Sequence, residues 1–339
     1  MKPILGNTDS LQLFPLSYNW AWEMYLENMD NHWTPREIQV AADVALWRSD
    51  SLSDSDRHLF LTVMEQLTTF DVQRGDETAE VLQSIIDPPE LKHYLKRLAD
   101  EEALHTWSYQ FIIENFGLDQ QEIYSAYSRI QVLRDRVDFA NRWSIGAKKV
   151  YIKRIINPDY QYDLLDRQVI LLALIFWFFC FEGIWFVMGL SGPIQNFARL
   201  GKFQGAAEQF QYILRDEFQH ILFGGYLIKA YIDQNPDCIT PDFLDDIVGM
   251  FKETVELEKA FIEYCLPKPI LGYSAEAHVG TTKFYANIRA KQLNLPELYP
   301  GAMDQLRWRH EMMFSRKEKN FFETRPTEYR TGGALNWED

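Results

Sequence analysis

Apolar residues along the chain recur mainly at three- and four-residue steps, which is the period of a helix face. Phe60, Met64, Leu67, Thr68 and Asp71 follow this spacing, in a helix that Asp54 can cap. Asp87-Pro88-Pro89 opens a second helix, and Gly117 closes it. Asp119 starts a shorter one, and segments around 135–154, 164–190, 203–233 and 241–265 read as helices. Thr240 caps the last of these, with Pro241 at its first position. Thr34-Pro35-Arg36-Glu37 has the form of a capping box opening another helix. Alternating apolar and polar runs bounded by turn residues are nearly absent, so the pattern predicts an all-α protein.

Residues 169–190, VILLALIFWFFCFEGIWFVMGL, carry a single charge, Glu182. The length would suffice to cross a bilayer. A carboxylate near the middle of a span is expensive, however, and a helix apolar all round also suits the centre of a large bundle. Beyond about residue 315 the pattern changes. RKEKNFFETRPTEYRTGGALNWED is charged, holds Pro326 and Gly332-Gly333, and keeps no helical period. The expected organisation is a helical domain over 1–315 and a mobile tail over 316–339, whose Leu335 and Trp337 suit a docking peptide or a merely frayed end.

With 34 Lys and Arg against 49 Asp and Glu, the net charge is −15, a poor basis for binding nucleic acid. Cys180, Cys238 and Cys265 are too few and too scattered for a disulfide framework. The N-terminus has no apolar core of signal-peptide length, so a cytoplasmic location is expected.

Glu followed three residues later by His puts two metal-ligating side chains on one helix face. The chain has three such pairs, Glu90/His93, Glu102/His105 and Glu217/His220. Glu90 falls in the first turn of its helix, and Lys92, Lys96 and Arg97 flank His93, so that pair reads as surface. The other two pairs lie among recurring apolar residues. Glu182, deep in the uncharged segment, needs a cation or a proton, and Asp71 sits on an apolar face. The order is carboxylate, Glu-x-x-His, carboxylate, Glu-x-x-His, the pattern of a dinuclear carboxylate site in a four-helix bundle. Asp71, Glu102, Glu182 and Glu217 would bring four negative charges, matching two divalent ions. Tyr109, one turn beyond His105, shares nearly the same face.

These residues resemble the small, radical-generating (beta) subunit of class I ribonucleotide reductase. Glu102-Ala103-Leu104-His105-Thr106-Trp107-Ser108-Tyr109 is similar to that family's Glu-x-x-His-x-x-x-Tyr run. Gln209 to His220 resembles its second ligand helix, and Asn320-Phe321-Phe322-Glu323 with Thr327-Glu328-Tyr329 resembles its C-terminal signature. The resemblance implies a ferritin-like helical bundle with a dinuclear metal site. It implies metal ligands at Asp71, Glu102, His105, Glu182, Glu217 and His220, and a stable radical at Tyr109. Trp33 would be the radical-transfer tryptophan, Asp216 its hydrogen-bonding partner, and Tyr329 the tail residue that passes the oxidising equivalent between subunits.

Asp at the first ligand position is one of the family's normal choices, whereas related oxygenases generally use Glu. One branch has Phe at the radical position and uses a manganese/iron pair directly; this chain has Tyr109. The implied cofactor is two iron ions, with a manganese/iron or two-manganese pair as alternatives. The implied partners are a second copy in a homodimer and the large catalytic subunit, bound through the tail. With Cys180 buried in an apolar helix and the other two cysteines distant, this chain is badly supplied for the thiol chemistry of ribonucleotide reduction. That step is expected on the large subunit. The rivals are a stand-alone di-metal oxygenase or oxidase of the same fold, and an iron-storage protein.

Overall fold

A computed structural model describes residues 2–6, 12–157 and 159–309. Residues 310–339, which include the expected tail with Tyr329, Leu335 and Trp337, lie outside the described residues. The described chain is helical throughout. Its only strand-like pairings are two isolated bridges, Leu5 with Ile86 and Ile270 with Tyr273.

The bundle is built from α1 (Asn19–Asp30), α2 (Asp54–Glu77), α3 (Pro89–Phe116) and α4 (Gln131–Ile156). Next comes α5, which begins as Leu164–Ile175, widens into a π-helix at Phe176–Phe186 and narrows again at Val187–Ser191. The chain then forms α6 (Gln204–Gln234), α7 (Pro241–Cys265) and α8 (Ala275–Gln292). The α2 helix packs along α3, α6 lies against the π stretch of α5, and α7 pairs with α8.

The apolar segment is the core of this bundle. Across the apolar stretch Leu164–Arg199, 94% of the most apolar window is buried inside the protein. Protein side chains rather than lipid cover it, and Asp163 with Asp166 forms a capping box at its start. The widened turns approach α6 closely. A Cβ on Gly224 would stand 2.1 Å from Cγ of Phe178, so only glycine fits there.

Several local expectations need correction. Pro35–Glu37 is a single 3₁₀ turn, although Glu37 Oε1 does accept from Thr34 N at 3.1 Å. Ser53, not Asp54, caps α2: its Oγ accepts from Asp56 N at 3.1 Å, while Asp56 Oδ2 accepts from Ser53 N at 3.0 Å. The α8 helix carries little apolar signal. The α8 helix buries His278, Thr281, Thr282 and Arg289, so its inward face is polar. There His278 Nε2 donates to Glu258 Oε1 at 2.6 Å, and Glu258 Oε2 pairs with Arg136 at 2.8 Å, tying α8 to α7 and α4.

The first Glu-x-x-His pair is not at the surface. Glu90 is fully buried, and its Oε1 accepts from the backbone N–H groups of Ser17 (2.7 Å) and Tyr18 (3.0 Å). His93 is half-buried, with Nδ1 bonded to Pro89 O at 2.7 Å. The segment preceding α1 folds across the start of α3 and needs an acceptor there. A sequence-distant partner of this kind leaves no trace in the local pattern. All three cysteines are buried and free, and burial pushes the Cys180 thiol up to about 12.

Candidate metal centre

Four helices aim their acidic and imidazole side chains at one interior region. Asp71 comes from α2, Glu102 and His105 from α3, Glu182 from the π stretch of α5, and Glu217 and His220 from α6. None is more than 1% exposed.

Two overlapping groups result. In one, atoms of Asp71, Glu102 and His105 lie within 4.8 Å of one another; in the other, atoms of Glu102, Glu182, Glu217 and His220 do. His105 Nδ1 stands 3.5 Å from Glu102 Oε2, 3.4 Å from Glu217 Oε1 and 4.0 Å from Asp71 Oδ2. His220 Nδ1 stands 3.6 Å from Glu102 Oε1, 3.6 Å from Glu217 Oε2 and 3.7 Å from Glu182 Oε1. Glu102 and Glu217 therefore each turn one oxygen toward either histidine, as bridging carboxylates would.

The hydrogen bonding tests whether these residues fit a metal pair. Both oxygens of Asp71, Glu102 and Glu217, Oε2 of Glu182 and Nδ1 of both histidines are buried with no hydrogen-bond partner. Orphaned buried acceptors are costly, roughly 1–3 kcal/mol each and more when charged. Donor atoms bound at about 2.0–2.2 Å to one ion necessarily stand some 3–4 Å from each other. The spacing and the orphaned atoms both fit two ions with shared carboxylates.

The outer nitrogens are fully engaged. His105 Nε2 meets Asp216 Oδ2 at 3.3 Å, and His220 Nε2 meets Glu101 Oε2 at 2.9 Å. This fixes each ring with Nδ1 facing inward. Asp216 Oδ2 also accepts from Trp33 Nε1 at 2.7 Å, and the Trp33 ring lies stacked at 6.4 Å from His105. Trp33, Asp216 and His105 thus form one connected run.

Tyr109 is fully buried against Phe210. Its hydroxyl approaches the Asp71 carboxylate without reaching hydrogen-bond geometry. Burial, then the Asp71 and Glu217 charges, hold the phenol well above its usual range.

Electrostatics express the crowding. Burial, then the neighbouring carboxylates, raises Asp71 and Glu102. Burial likewise raises Glu182, to about 7, against the opposing charge of Arg74. Burial works against charge on His105 and His220 too, but the hydrogen bonds they donate, His105 to Asp216 and His220 to Glu101, help to raise both.

Two participants escape the sequence reading. Glu101 orients His220 as Asp216 orients His105, and it also accepts from Arg97 Nε (3.1 Å) and Asn28 Nδ2 (3.1 Å). The signal was present as a repeated acidic-Glu-x-x-His: Glu101-Glu102-x-x-His105 and Asp216-Glu217-x-x-His220. Arg74 is the other. It lies one turn after Asp71 and bonds Glu182 Oε1 through Nε at 2.5 Å.

The family model described as "Ribonucleotide reductase, small chain" matches residues 10–305. The chain belongs to the ribonucleotide reductase small-chain family. It is 34% identical to the ribonucleoside-diphosphate reductase subunit beta of Chlamydia pneumoniae, over 98% of this chain and 93% of that protein. It is 26% identical to the ribonucleoside-diphosphate reductase small subunit of Dictyostelium discoideum, over 99% and 91%. The fold matches the ribonucleotide reductase R2 subunit from Clostridium botulinum with a TM-score of 0.80 at 23% identity, covering 92% of this chain and 94% of that one. The ferritin-like bundle expected above is the fold observed, and membership of this family disfavours the stand-alone oxygenase.

Proposed function

We propose that this chain is the small subunit of a ribonucleoside-diphosphate reductase that generates a radical at Tyr109 and delivers it to a large catalytic subunit, where ribonucleotides are reduced to deoxyribonucleotides. Asp71, Glu102, His105, Glu182, Glu217 and His220 would hold two metal ions, two irons or a pair containing manganese. When bound, the metal pair supplies the one-electron oxidising equivalent. Tyr109 would be the group that gives up an electron and its phenolic proton, and its hydroxyl faces the Asp71 carboxylate. The observation that carries the reading is the Trp33–Asp216–His105 run, which a storage protein has no use for. Asp216 accepts from Trp33 and meets His105, so it can take up the indole proton as Trp33 is oxidised. The protein's packing keeps this run and Tyr109 dry, which protects a radical from quenching by solvent.

Tyr329 would carry the equivalent onward, with the tail docked on the large subunit. Pairing of two copies fits an apolar face on α1 and α6. Trp20 packs on Tyr226 at 5.2 Å and Gln219 bonds Glu27, while Leu26, Met29, Leu222 and Tyr226 stay nearly half exposed. Cytoplasmic residence belongs to the same proposal.

The test is electron paramagnetic resonance of the metal-loaded, oxidised protein. Wild type should show a stable tyrosyl signal, and Tyr109→Phe should lose it while keeping two metals, since removal of one hydroxyl leaves the packing nearly unchanged. A signal that survives the substitution would move the radical elsewhere.

A further inference from the structure

The buried cation among the carboxylates has no role in the scheme above. Arg74 is fully buried, as is Glu182, and its guanidinium is 4.7 Å from the Phe178 ring centroid and 5.4 Å from that of Trp177. Arginine's planar guanidinium carries a delocalised positive charge. It bonds Glu182 Oε1, the same oxygen that faces His220. A metal beside Glu182 must share that oxygen with the guanidinium or make do with Oε2. The other group differs. Among the described residues neither Asp71 nor Glu102 has a Lys or Arg within ion-pair distance, and both oxygens of each are unpartnered.

We infer that Arg74 makes the two metal positions unequal. It competes for Glu182 and sets a fixed positive charge against the Glu102–Glu182–Glu217–His220 position, so the Asp71–Glu102–His105 position fills first and more tightly. The inference rests on the two-metal reading proposed above. Repulsion between a unit charge and a divalent ion a few ångströms apart in a water-excluded interior is large enough to separate the two affinities by at least about tenfold. It also means that the second ion is the exchangeable one. With first-row divalent ions competing for similar donors, that position is where a different metal would enter. Arg74 acts here through Glu182 and is a positioning residue.

The experiment is a Mn(II) titration of the metal-free full chain, with free Mn(II) and the coupled pair followed by electron paramagnetic resonance. Wild type should bind two ions in classes at least about tenfold apart. Arg74→Gln should tighten the weaker class by at least about tenfold and leave the tighter one in place, while Arg74→Lys, which keeps the charge, should preserve the split. His220→Ala should remove the weaker class and His105→Ala the tighter. These two variants decide the order even if Arg74→Gln does not fold. Two ions bound with equal affinity, a weaker class unmoved in folded Arg74→Gln, or the reverse pairing of histidines with classes would overturn the inference and leave the two-metal reading standing. Binding of fewer than two ions by wild type would overturn both.

Discussion

At the scale of single residues, burial means opposite things for two glutamates of the same motif. Glu217 has orphaned oxygens facing other ligands, whereas Glu90 serves backbone donors. Glu217→Ala, like His105→Ala, is therefore expected to abolish binding of two metals, because it opens a position and unbalances the remaining charge. Glu90→Ala is expected to bind metal normally but to lose about 2 kcal/mol of stability, since two N–H groups near the start of α1 lose their acceptor. Metal analysis beside urea unfolding separates the two outcomes. The convergence of Asp71, Glu102, His105, Glu182, Glu217 and His220 was legible because acidic and imidazole groups set at helix period among apolar neighbours, or alone in an apolar run, must find partners inside. Glu90 was misread because its partners lie more than seventy residues away in the chain. Arg74 was missed because a cation beside a metal site runs against the charge logic used to find such a site. A titration can be predicted as well. Burial raises Glu65 from 4.5 to about 7, so between those values the folded state holds a proton that the unfolded state has released. Stability must therefore fall as pH rises across this window. Glu65 is only half-buried, so solvent screens much of the penalty, and Glu65→Gln should stabilise the protein by roughly 1 kcal/mol at pH 8 and by almost nothing at pH 4, as read from unfolding curves at the two pH values.

At the scale of elements, the π stretch of α5 and the glycine face of α6 depend on each other. Phe178 lies one turn before Glu182, and Gly224 lies one turn after His220, so their contact sets the distance between two ligand-bearing helices. A Cβ at Gly224 would overlap Cγ of Phe178 at 2.1 Å, while one at Gly225 would meet only Phe179 at 3.9 Å. Gly224→Ala should cost about 1–3 kcal/mol through overpacking and should weaken metal binding as α6 is pushed outward. Gly225→Ala should be neutral or slightly stabilising, by up to about 1 kcal/mol, from helix propensity alone. Equal behaviour of the two variants in unfolding and Mn(II) titration would mean that the contact does not govern the site. The helices themselves were legible wherever caps and apolar faces coincide, as at Gly117 with its φ of 70° and at Thr240, whose side chain accepts from Phe243 N. Widening of α5 was not legible, because a segment apolar on every side looks the same at any helical pitch. The α8 helix was not legible because its buried face is polar, and periodicity of apolar residues is the signal that such a face lacks.

At the scale of the whole molecule, the described bundle holds the candidate metal centre and the Trp33 run, but Trp33 is itself only 2% exposed. A radical delivered to another subunit therefore has to be carried past the bundle surface by a further oxidisable group. We propose Tyr329 as that group, because the residues around it resemble the family's C-terminal signature, and propose Leu335 and Trp337 as the apolar anchors of a largely charged and polar stretch. Binding through so short a segment concentrates affinity in a few apolar side chains, so the two functions should separate by mutation. Trp337→Ala should weaken association with the large subunit, measured by analytical ultracentrifugation, and leave metal content and the Tyr109 signal unchanged. A free peptide of the last fifteen or so residues should compete with the whole chain for the same reason. Tyr329→Phe should do the reverse. Phenylalanine keeps the ring for packing but has no phenolic proton to give up, so the oxidation coupled to that proton cannot occur. Association and the Tyr109 radical should persist while nucleotide reduction is lost. A Tyr329→Phe chain that supports full reduction would remove Tyr329 from the route, and Trp33 would then have to pass its equivalent to the large subunit by another path.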